Sequence, residues 1–91
     1  MTDKELLTKV KQALNIGGSY QDNTLQIYID EVKAYLIGAG INKDNVNNYV
    51  GVISRGVADL WNYGSGEAKL SNYFMQRVAQ IVINGADDTE V

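Results

Sequence analysis

A helical apolar period returns four times along this chain, each time closed by a glycine-bearing or asparagine-rich break. Side chains at i, i+3, i+4 and i+7 share one face of a helix, and such faces are stable only when packed against one another. The pattern predicts an all-α fold, a compact bundle of four helices, because 91 residues make one domain and not two. At 10.0 kDa, size scaling buries only about 64% of the chain's surface on folding. The core is thin.

Thr2-Asp3-Lys4-Glu5 is a capping box, with Met1 and Leu6 placed as a hydrophobic staple. Leu6, Leu7, Val10, Ala13 and Leu14 follow on one face of the first helix, and Gly17-Gly18 offers the left-handed conformations that a helix end needs. Asp22 or Ser19 can cap the second helix, which carries Leu25, Tyr28, Ile29, Val32, Tyr35 and Leu36 and stops at Gly38-Ala39-Gly40. Ile27, Ala34 and Ile37 fall outside that stripe. They are either a contact face or the edge of a broad stripe packed under a neighbouring helix.

The polar run from Asn42 to Asn48 gives two starts for the third helix, Asn42 and Asn45. From about Val46 to Tyr63 one stripe holds Val46, Val50, Ile53, Val57, Leu60 and Trp61, and another holds Tyr49, Val52 and Tyr63. Roughly 18 residues without a turn signal favour a helix over a valine-rich strand. Gly51 and Gly56 inside it cost about 1 kcal/mol each relative to alanine, so they point to close helix approach. Gly64 to Lys69 reads as a connection. Ser71 caps a fourth helix, Leu70 is stapled to Met75, and Phe74, Val78, Ile81 and Val82 form its stripe up to Asn84-Gly85. Asp87, Asp88 and Glu90 make an acidic end with nothing to bury, so the expected organisation is a helical domain over 1–85 and a flexible tail over 86–91.

Chemistry is constrained by what is missing. There is no histidine and no cysteine, which removes the commonest metal ligand and general base and any disulfide framework. Asp30-Glu31 are neighbours about 100° apart on a helix and do not converge as an acid/base pair. Asp87-Asp88 lie in the tail. Asp59 follows Arg55 at ion-pair spacing, Gly64-x-Gly66 lacks the strand and the lysine of a phosphate loop, and the asparagine run lacks the order of a calcium loop. Ser19, Ser54, Ser65 and Ser71 have no base to activate them. The reading is no enzyme, no cofactor and no metal. A net charge of −3 argues against binding by phosphate neutralisation, and a helix-turn-helix would need more than Arg55 on helix 3 and Arg77 on helix 4. Met1 to Glu5 is polar rather than a signal peptide and the apolar runs are short, so the expectation is folding in a reducing cytoplasm with no membrane contact.

Leu14-Asn15-Ile16, Tyr28-Ile29-Asp30-Glu31-Val32, Ala58-Asp59-Leu60-Trp61-Asn62-Tyr63-Gly64 and Ser71-x-x-Phe74-Met75-Gln76-Arg77-Val78 together resemble the small head-tail connector, or adaptor, proteins of tailed double-stranded DNA bacteriophages. The resemblance covers roughly residues 3 to 83. It implies a structural subunit of the virion at the head-tail junction, assembled in the host bacterial cytoplasm. It also implies a homo-oligomeric ring, dodecameric in the usual case, that sits on the portal protein and extends the DNA channel towards a stopper or tail-completion protein. DNA would pass through its lumen without specific binding. A small helical prophage-encoded regulator or protein-binding adaptor is the other reading that the residues permit.

Two residue sets follow. The expected core is Leu6, Val10, Leu14, Ile29, Val32, Leu36, Ile53, Val57, Leu60, Trp61, Phe74 and Val78. Subunit contacts are expected at Ile27, Ile37, Tyr49 and Tyr63, and contacts with partners at Arg77, Ile83 and Val91, because helix 4 beyond Arg77 and the tail are the segments that dock on the portal in such adaptors.

Overall fold

Thr2 opens α1 (Asp3–Leu14) through the capping box: its hydroxyl accepts from the Glu5 N–H at 3.1 Å, and the Glu5 carboxylate accepts from the Thr2 N–H at 2.9 Å. In this computed structural model, which describes residues 1–63 and 72–83, α1 ends in a Schellman turn. The Asn15 N–H donates to Gln12 O and the Ile16 N–H to Lys11 O, with Asn15 itself left-handed at φ 60°. The conformation expected of the glycine pair is thus taken by an asparagine, whose short polar side chain tolerates it. Gly18 is also at positive φ, but further along the loop.

α2 (Asp22–Gly38) starts without a side-chain cap, since neither Ser19 nor Asp22 fills that role and Gln21 stands at the capping position. Asp22 is drawn instead to Lys11, whose ammonium lies 2.7 Å from its carboxylate and also donates to Gly18 O. An acid in the first turn still complements the helix dipole, and here it also ties α2 to α1. At the far end a second Schellman turn forms around Gly40, at φ +119°, with Gly40 N–H on Ile37 O and Ile41 N–H on Leu36 O. Ile41 is buried beneath it, the apolar contact that accompanies this motif.

The third helix begins later than the stripe predicts. Val46–Asn48 is a single 3-10 turn, Tyr49 leaves helical geometry at ψ 54°, and α3 runs only over Val50–Tyr63. Asparagine side chains compete with the helix for backbone and side-chain partners. Asn42 Oδ1 accepts from the Asp44 N–H at 2.8 Å, and the Asn47 amide donates to Met1 O at 3.0 Å and Asp3 Oδ1 at 2.9 Å. The segment is thereby fastened to the start of α1 with Val46 buried as its anchor.

α3 is central, in contact with α1, α2 and α4 (Asn72–Ile83). Leu6, Val10, Leu25, Ile29, Val32, Leu36, Ile53, Val57, Leu60, Phe74 and Val78 are buried together around it. Leu14 and Trp61, expected among them, are half-buried at the margin of this cluster, each in the last turn of its helix. Ala13, Tyr35 and Val82 also read as stripe residues and are exposed. Trp61 leans edge-on to Tyr28, with ring centroids 6.0 Å apart and planes at 89°, and Tyr35 meets Phe74 at 5.7 Å.

Candidate assembly surface

α2 turns Leu25, Ile29, Val32 and Leu36 inward, so helical geometry places Ile27 and Ala34 on the side away from the core. Ile27 is 63% exposed and Ile37 42%. No element of the chain covers this face among the described residues, which resolves the two readings of it in favour of exposure. Asp30 and Glu31 stand beside Ile27 at i+3 and i+4, and the Gln26 amide donates to Asp30 Oδ1 at 2.9 Å.

A second exposed apolar flank runs down α4 through Met75, Ala79, Val82 and Ile83, with Ile83 81% exposed. Arg77 lies outside that flank, exposed, and donates to Gln80 Oε1 at 3.2 Å. Tyr49 is half-buried against the core rather than on an open face. The backbone of Tyr63 closes α3, but its side chain, Val91 and the whole of 86–91 lie outside the described residues.

Two concavities flank the solvent side of α3. One, of about 230 Å³, has Val52 and Phe74 at its base and Gly51, Arg55 and Arg77 around it. The other, of about 280 Å³, opens between α1 and α3 and is lined by Ala13, Leu14, Gly51, Ser54, Arg55 and Ala58. The Ser54 hydroxyl is buried there with no hydrogen-bond partner among the described residues. Sequence reasoning missed this surface and also missed Tyr20, which at 94% is the most exposed large apolar side chain among the described residues. Tyr20 had a signal, an aromatic ring off any stripe in a polar connection; the concavities had none, because each is assembled from separate helices.

Polar contacts concentrate at the N-terminal end of the bundle. Asp3 Oδ1 accepts from both Asn47 Nδ2 at 2.9 Å and Lys33 Nζ at 3.0 Å, joining α1, α2 and the 3-10 turn. The Asn47 bond, with the Lys33 bond and charge after it, holds the Asp3 carboxyl below the usual carboxylate range. The Thr2 N–H does the same for Glu5. Among the described residues no three carboxylates gather as metal ligands would, and no helix is long and apolar enough to cross a membrane.

The described residues form a small all-helical bundle with an exposed apolar face on α2 and a concavity flanked by two arginines. The particular family follows from its sequence: residues 4–88 match the family described as phage gp6-like head-tail connector protein. The chain belongs to that family, a structural one, and is a phage virion component that assembles with other virion proteins. No protein of curated function and no solved structure matches it.

Proposed function

We propose that the protein forms a ring on the portal vertex and extends the DNA channel from the filled capsid to the tail, with twelve copies as the usual number for such adaptors. The observation that carries this reading is the outer face of α2, where Ile27 and Ile37 are exposed among the described residues, on a chain of a connector family. A subunit in a ring meets its neighbours through two different faces, and a free monomer leaves both exposed. Net charge of −3 suits a lumen through which DNA passes without adhering. Ile83 and residues 86–91, a tail beyond the helical domain 1–85 that carries Asp87, Asp88 and Glu90, face the portal in this reading.

Negative-stain microscopy of the protein mixed with its portal tests the proposal. A ring of density added to one end of the portal is the expected result. Bare portals at saturating protein would overturn it.

A further inference from the structure

We propose that the outer face of α2 in one copy seats on the groove between α3 and α4 of a second copy, with Ile27 entering the concavity and Asp30 and Glu31 meeting Arg55 and Arg77. This deepens the ring reading and rests on it.

Three observations converge on this pairing. Ile27, Asp30 and Glu31 are spaced i, i+3 and i+4, so one turn of α2 presents a branched apolar knob with two carboxylates beside it. The groove presents the complement: an apolar base from Val52 and Phe74, a concavity of about 230 Å³, and two guanidinium groups around it. Arginine is suited to such contacts because its planar fork can hold a carboxylate through two donors. The third observation is Gly51, exposed at the mouth of the concavity in the first turn of α3, where a Cβ would meet nothing within 4 Å. Packing among the described residues does not require that glycine, and the mouth of the groove is open there.

Topology then makes the contact propagate. α2 and α3 pack directly against each other, so the outward sides of the two helices lie on opposite sides of the bundle. A contact joining two different faces on opposite sides cannot close as a two-fold dimer, and it generates rings or open chains. Its charged rim gives it a salt dependence.

The chain has no cysteine of its own, which allows a direct test with Ile27→Cys and Gly51→Cys in full-length protein assembled on its portal under oxidising conditions. Mixing the two single variants should give disulfide-linked dimers, each single variant alone should give none, and the double variant should give a ladder. If assemblies form but the mixture stays unlinked, or Ile27→Cys links to itself, this pairing is overturned and the ring stands. If the wild-type chain never assembles beyond a monomer on the portal, the ring reading falls and takes this pairing with it. Charge reversal provides a second arm. Arg77→Glu should weaken assembly several-fold, and mixing it with Glu31→Arg copies should restore it; weakening without restoration would overturn the ion pairing.

Discussion

Gly56 and Val32 approach so closely across the α2–α3 contact that a Cβ on Gly56 would lie 2.9 Å from Val32 Cγ2, with the Phe74 ring edge at 2.8 Å on its other side. Three helices meet at this point because one of them has no side chain there. Alanine is the better helix former by about 1 kcal/mol, but overpacking of a filled core costs about 1–3 kcal/mol. Gly56→Ala should therefore destabilise the protein by about 1 kcal/mol net, whereas Gly51→Ala, which meets nothing and lies in the first turn of α3, should stabilise it by about 0.5 kcal/mol or less. Urea unfolding of the two variants reads this directly. Equal shifts would mean that α4 does not pack where the structure has it.

Trp61 is half-buried and meets Tyr28 edge to face. Truncating a fully buried aromatic costs about 3–5 kcal/mol, and a half-buried one should cost about half of that. Trp61→Ala should lower stability by about 2 kcal/mol yet leave unfolding cooperative. A double-mutant cycle with Tyr28→Ala should return a coupling of about 0.5–1.5 kcal/mol. A coupling of zero would leave burial alone as the source of the effect.

Asp3 has a folded-state pKa below its unfolded value. Its contribution to stability is complete above the unfolded pKa of about 4 and is lost as pH falls through the lower folded value. Glu5 acts in the same direction. The Asp3 side chain is largely exposed, so solvent screening keeps the effect on the order of 0.5 kcal/mol or less. Asp3→Asn should flatten the acid limb of the stability curve below about pH 4, leaving part of the slope to Glu5. An unchanged acid limb would show that the contacts of Asp3 with Asn47 and Lys33 do not persist in solution.

The helices were legible because burial imposes its period on the sequence: Leu25, Ile29, Val32 and Leu36 could hardly have been read otherwise. Their ends were less so. Asn15 takes a left-handed turn that two nearby glycines advertised more strongly, and the Val46–Asn48 turn replaces the first helical turn because Asn47 reaches Asp3 and Met1, some 44 and 46 residues away in the chain. Ile27 and Ile37 stood out as surface residues because they are apolar off the stripe. The groove was invisible for the opposite reason, since Arg55 and Arg77 become neighbours only when α3 and α4 pack, and on paper Arg55 was merely four residues before Asp59.

A ring between portal and tail is needed only after the capsid is filled, so loss of the protein should block one junction and no earlier step. In a phage carrying this gene, a nonsense mutation should leave packaged or leaking capsids beside separate, morphologically normal tails. Adding purified protein to those capsids should restore joining, because the portal offers a preformed docking surface and many identical contacts act together once the first copies bind. A chain cut after Gly85 should keep its helicity, since the helices described all end before that residue, yet should complement poorly if residues 86–91 make part of the portal contact. Electron microscopy of the lysates and a plaque assay of the complemented capsids provide the readouts. Empty, unpackaged proheads in the nonsense lysate would place the protein upstream of packaging, and the ring on the portal would have to be abandoned.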